Sequence, residues 1–144
     1  MCPELVERDS ITPISSYACY NLDETIRLKS SSGGVFTALA EYVISQQGVV
    51  FGARFDKEWN VIHDYTESLS GLDVFRGSKY VQSDIKDSFS KVQSFLKRDK
   101  IVLFTGTPCQ ISGLKLFLRK EYKNLLTMDF ICHGVPSPSI WKSY

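Results

Sequence analysis

Ile101-Val102-Leu103-Phe104-Thr105-Gly106-Thr107-Pro108-Cys109-Gln110 is the stretch on which the fold turns. Its first four residues are a continuous apolar run closed by a turn signal, the pattern of a strand buried on both faces of a parallel sheet. Thr107 is a good helix cap and Pro108 suits the first helical position. Gln110, three residues after Thr107, completes a capping box. The spacing therefore predicts a helix from Pro108 to about Lys120, with Ile111, Leu114 and Leu118 turned inward. Leu125 to Ile131 is a second strand-like run. A strand–helix–strand unit returns its second strand parallel to the first, so a parallel pair is expected.

Upstream of this stretch, Ile85, Phe89, Val92 and Leu96 mark an amphipathic helix whose solvated face carries Lys86, Asp87, Lys91 and Lys97. Val49 to Phe55 reads as a strand, and Trp59 to Glu67 as its hairpin partner across Asp56-Lys57-Glu58. Ser30 to Gly34 is a loop feeding a helix of about three turns. Val35, Phe36, Leu39, Ala40, Val43 and Ile44 lie on one face of that helix, and Gly48 stops it. Ser16 to Asn21 reads as a short strand, Leu72 to Ser83 as irregular, and Ser137-Pro138 as the start of a last helix. Residues 1–14, with two prolines and little periodicity, read as a linker ahead of an α/β domain over 15–144. The expected fold class is α/β, a mixed or parallel sheet flanked by helices.

The 144 residues carry a net charge of +1, with 43% hydrophobic and 23% charged side chains. Such a composition can bury a core and excludes a disordered chain. The near-neutral balance argues against nucleic acid, whose phosphates demand a basic surplus. No apolar run approaches the roughly 20 residues that span a bilayer, and the first residues lack the apolar core of a signal peptide. A cytoplasmic globular domain with no membrane partner is the expectation.

In that compartment the four cysteines Cys2, Cys19, Cys109 and Cys132 are not expected to form disulfides. No C-x-x-C pair occurs, which excludes a self-contained zinc knuckle and a local thioredoxin-type motif. Cys19, in an alternating segment, reads as a small buried hydrophobe. Cys109 falls in the first turn of its helix, where the dipole and free N–H groups favour a thiolate. Gly106 lets the backbone approach a ligand. An ordinary strand–turn–helix junction with an incidental cysteine has the same sequence. Asp129-Phe130-Ile131-Cys132-His133-Gly134 ends the next strand in the same way. Both thiols thus belong at the carboxyl edge of one sheet, where open α/β sheets bind ligands. A soft-ligand metal centre, iron–sulfur or zinc with His133 as third ligand, is one outcome.

Two further loops suit an anion. Ser31-Ser32-Gly33-Gly34 precedes a helix N-terminus, so its hydroxyls and N–H groups suit a phosphate, or equally a well-capped linker. Arg76-Gly77-Ser78-Lys79-Tyr80 offers two cations, a hydroxyl and a flat ring, which suits a pyrophosphate beside a planar group or a solvated loop. Neither loop is a Walker loop, and the G-x-G-x-x-G dinucleotide fingerprint is absent.

Four motifs occur in order: Arg27 to Phe36, Phe75 to Ser83, Phe104 to Gln110 and Asp129 to Pro138. In them the chain, from about Ile14 onward, closely resembles the beta-subunit family of coenzyme F-420 hydrogenase/dehydrogenase, as the N-terminal portion of its catalytic domain. The resemblance implies an iron–sulfur flavoprotein that passes electrons through FAD between 4Fe-4S clusters, or ferredoxin, and a small-molecule acceptor. That acceptor is the deazaflavin coenzyme F-420 in the enzymes that give the family its name. It implies that Ser31, Ser32, Gly33, Gly34, Arg76, Gly77, Ser78, Lys79, Tyr80 and Gln82 line the FAD site. It places Thr105 and Gly106 near flavin and cluster, with Cys109 and Cys132 as 4Fe-4S ligands; no catalytic residue is assigned. Met1-Cys2-Pro3 resembles the end of a ferredoxin-like module, so the chain reads as a fragment whose ligand set is incomplete. The alternatives are a non-catalytic binding fragment and a domain with a structural zinc site.

Overall fold

A computed structural model describes residues 12–143. The linker ahead of residue 12, with Cys2, lies outside the described residues. The elements run α1 (Glu24–Leu28), α2 (Val35–Ser45), β1 (Val49–Phe55), β2 (Val61–Thr66), α3 (Ser88–Lys97), β3 (Val102–Gly106), α4 (Pro108–Leu118), β4 (Leu125–Asp129) and α5 (Pro138–Ser143). Two single-turn 3-10 helices, Leu69–Gly71 and Asp73–Phe75, follow β2.

The four strands form one mixed sheet in the order β2-β1-β3-β4. The hairpin pairs β1 with β2 antiparallel, while β1–β3 and β3–β4 are parallel. Alternation along the two central strands divides the core. Val49, Phe51, Val102 and Phe104 face α3 and α4, where they meet Val92, Phe95, Leu96, Ile111, Leu114 and Leu118. Val50 and Leu103 face the other way, onto Ala40 and Val43 of α2 and onto Leu72. The central strands are therefore covered on both sides, which is why Ile101 to Phe104 has no polar interruption.

Several elements differ from the sequence expectation. Ser16 to Asn21 is not a strand, and Cys19 is exposed rather than buried. The segment pairs with neither edge strand of the sheet, β2 or β4. The segment instead lies along the Ser/Gly loop, with the Asn21 N–H donating to the Gly33 carbonyl at 2.6 Å. Helix α1 was not anticipated; Asp23 caps it by accepting from the N–H groups of Thr25 and Ile26. Helix α3 begins at Ser88, so Ile85 reaches the core from the preceding turn. Strand β4 ends at Asp129, leaving Phe130 and Ile131 exposed beyond its last pairing.

After β4 the chain turns back toward the hairpin. The Gln82 N–H donates to the Pro136 carbonyl at 3.3 Å, and Trp141 Nε1 in α5 donates to the Trp59 carbonyl at 2.9 Å. Residues 130–143 thus run from the carboxyl end of β4 to the start of β2. No helix among the described residues is long and apolar enough to cross a membrane.

Candidate functional site

Ser31 and Ser78, from the two glycine-containing polar loops, meet directly: the Ser78 N–H donates to Ser31 Oγ at 2.8 Å. Each loop is held from behind. On one side, Ser30 Oγ donates to the Ile26 carbonyl and Arg27 Nη1 to the Asn21 carbonyl, at 2.7 and 3.0 Å. Gly34 closes that loop at φ 77°, a left-handed conformation that suits glycine, and caps α2 without a side-chain hydrogen bond. On the other side, Arg76 Nε donates to Oγ1 of the buried Thr37 in the first turn of α2, at 3.0 Å. Arg76 also pairs with Asp73. Lys79 Nζ donates to the carbonyls of Val74 and Arg76 at 3.0 and 2.8 Å.

Burial pushes the Lys79 ammonium down to about 8 from its ordinary 10.5, because no carboxylate offsets its lost hydration. Gly77 has φ 79° and open space where a side chain would stand. The result is a cradle of a helix start without a side-chain cap, two serines, Lys79 and an Arg76 paired with Asp73. It can hold an anion. Ser32 lies exposed at its rim, Gly33 packs against the backbone of Cys19 and Tyr20, and the Tyr80 ring is 78% exposed. Gln82 stands elsewhere. It lines a cleft of about 560 Å³ with Asp56, Asn60, Lys86, Trp141 and Lys142, to which neither loop contributes.

The two candidate thiols follow adjacent strand ends. Gly106 of β3 is paired with Asp129 of β4, and Cys109 and Cys132 each stand three positions further on. Both are partly buried. Cys109 Sγ lies 3.0 Å from Thr107 Oγ1, and Cys132 Sγ accepts from the Gly134 N–H at 3.4 Å. Among the described residues, however, no three His, Cys, Asp or Glu side chains come together as a metal-binding group. The zinc set of Cys109, Cys132 and His133 is therefore not assembled. A 4Fe-4S cluster takes four thiolates, of which Cys109 and Cys132 could supply two, so its ligand set is incomplete among the described residues.

Thr105 and Gly106 serve the fold first. Thr105 Oγ1 donates to the Phe51 carbonyl at 2.9 Å, across to β1. A Cβ on Gly106 would stand 2.8 Å from Gln110 Oε1, so the glycine makes room for that side chain.

His63 is a further polar residue beside the β3–α4 turn, with no counterpart among the sequence candidates. It is buried in β2, stacked on Phe104 with ring centroids 5.2 Å apart. Its Nε2 lies 2.9 Å from the Thr105 carbonyl and its Nδ1 2.9 Å from Ser83 Oγ. Burial holds its pKa below the ordinary 6.5, with the bond to Thr105 opposing in part. Its signal was available: in Val61-Ile62-His63-Asp64-Tyr65 the imidazole falls on the same face as Tyr65, the face toward the core.

Residues 99–144 match the family model that describes the C terminus of the beta subunit of coenzyme F420 hydrogenase/dehydrogenase. Over that part, the chain is similar to the coenzyme F420 hydrogenase/dehydrogenase beta-subunit family. No curated protein matches the chain. Among solved structures, a chain of the F420-reducing NiFe hydrogenase complex from Methanosarcina barkeri superposes with a TM-score of 0.67 at 20% identity. The match covers 86% of this chain and 46% of that one, so the present chain spans less than half the length of the chain it matches. At that identity the likeness is one of fold, and it agrees with the mixed four-stranded α/β sheet described above.

Proposed function

We propose that this chain is part of an iron–sulfur flavoprotein oxidoreductase subunit that passes electrons through FAD. Donor and acceptor would be 4Fe-4S clusters or a ferredoxin-like partner on one side, and a soluble small molecule, coenzyme F-420 or another, on the other. The observation that carries the reading is the Ser31–Ser78 hydrogen bond, which unites two loops 47 residues apart into one anion-binding cradle. A diphosphate fits the donors gathered there: Ser31, Arg76, Ser78, Lys79 and the uncapped start of α2. When bound, FAD supplies exchange between one-electron and two-electron chemistry. The chain's own residues bind and orient it. Lys79 adds positive charge at low hydration cost, since burial has already stripped part of its water. Arg76, anchored on Thr37, keeps the second loop against α2. Cys109 and Cys132 would give two of a cluster's ligands, the rest coming from outside the described residues.

The test is cofactor content. The full-length gene product, purified anaerobically, should show flavin absorption together with iron and sulfide; absence of all three overturns the reading. Ser31→Ala and Lys79→Met should each weaken FAD retention by about tenfold, on the scale of one charge-assisted hydrogen bond. Unchanged flavin affinity in both variants would remove the diphosphate from this cradle.

A further inference from the structure

The turn between β3 and α4 is closed from behind by a ring of side-chain hydrogen bonds. The Thr105 carbonyl can only accept, so His63 Nε2 carries the proton and donates to it at 2.9 Å. In the neutral imidazole Nδ1 is then an acceptor, which the Ser83 hydroxyl supplies with a proton at 2.9 Å. Ser83 Oγ in turn accepts from Gln110 Nε2 at 2.8 Å, and Gln110 Oε1 accepts from the Thr107 N–H at 3.0 Å. Only one assignment of donors and acceptors satisfies every member. His63 and Ser83 are buried, and no buried side-chain polar atom among the described residues lacks a partner. The ring joins β2, the chain just after the second loop, β3 and α4, and its last member is two residues from Cys109.

We infer that His63, Ser83 and Gln110 are positioning residues that clasp the Thr105–Thr107 turn and so fix the orientation of Cys109. This deepens the proposed function, since it rests on Cys109 belonging to the redox site. Three polar side chains stand where apolar ones would pack without hydrogen-bonding demands, and their common object is one turn. A satisfied buried network specifies a single geometry, and a ring broken at one member leaves its neighbours unpaired. Thr107 is held by Gln110 and contacts the thiol through its own hydroxyl at 3.0 Å, so the clasp reaches Sγ through one residue.

The experiment measures alkylation of each cysteine by iodoacetamide in the whole reduced chain, by peptide mass spectrometry, with and without added FAD. Cys19, exposed and distant in sequence, is the internal reference. Ser83→Ala and Gln110→Ala should each speed alkylation of Cys109 by about fivefold, on the scale of one lost hydrogen bond, with Cys19 unchanged. Ser83→Thr, which keeps the hydroxyl, should restore the wild-type rate. His63→Gln should keep the bond to Thr105 and fall between wild type and His63→Phe. Unchanged Cys109 rates in all the variants would overturn the clasp. So would a rise shared equally by Cys109 and Cys132, since that reports general loosening. The two proposals separate cleanly: rates without FAD test the clasp alone, whereas FAD-dependent protection of Cys109 tests the flavin reading.

Discussion

His63 illustrates how one buried side chain links pH to stability. In the fold its pKa lies below 6.5 because burial disfavours the imidazolium. In the unfolded chain it returns to about 6.5, so below that pH the unfolded state binds the extra proton. Stability is therefore full above about pH 6.5 and is lost as the pH falls from there toward the depressed folded value. The slope from this one group is at most about 1.4 kcal/mol per pH unit. Urea denaturation at pH 7.5 and 5.5 should show a loss in the wild type that His63→Gln diminishes; parallel losses in the two proteins would contradict the assignment. Asp64 titrates lower and does not confuse this window. Burial would raise it, but hydrogen bonds from Arg54 and the Tyr65 N–H outweigh that and hold it below 3.8. Thr105 and Gly106 teach the converse lesson at the same scale. Their contacts within the fold are to Phe51 and Gln110, information that pairing across the sheet alone supplies.

Among the elements, the α2–β1 junction makes the sharpest demand on one residue. Gly48 lies where a Cβ would stand 2.6 Å from the Ile101 carbonyl and 2.7 Å from the Val43 carbonyl, both backbone atoms that cannot swing aside. Gly48→Ala should cost about 1–3 kcal/mol, as overpacking in a tight site does. Thermal unfolding measures it, and an unshifted midpoint would show that the junction can relax. The sequence signals were strong wherever an element carried its own period or cap. Strand β1 and helix α2 lie where the pattern put them, and α4 starts at Pro108 with its capping box formed. They failed at Ser16 to Asn21, where an alternating segment lies along the Ser/Gly loop and pairs with no strand of the sheet. They ran long at Phe130-Ile131, where apolar residues continue after the last paired position.

For the molecule as a whole, β1 and β3 feed both cores, so neither layer can melt alone. Phe51 and Phe104 serve one side, Val50 and Leu103 the other. Leu103→Ala and Phe104→Ala should each destabilise by about 2–5 kcal/mol through the cavity left behind. In each variant, tryptophan fluorescence and far-ultraviolet circular dichroism should lose their signals at the same urea concentration. Separated transitions would mean that the two faces unfold independently. The α/β class, the strand–helix–strand unit and the likeness over 99–144 to the beta-subunit family were legible in the sequence alone, because local periodicity, caps and contiguous motifs need no distant partner. Only the tertiary structure decided that Ser31 meets Ser78, that His63, Ser83 and Gln110 encircle one turn, and that Cys109 and Cys132 gather no third ligand among the described residues. Those are contacts between residues far apart in the chain, and they exist only once the packed sheet has fixed which ends and faces come together.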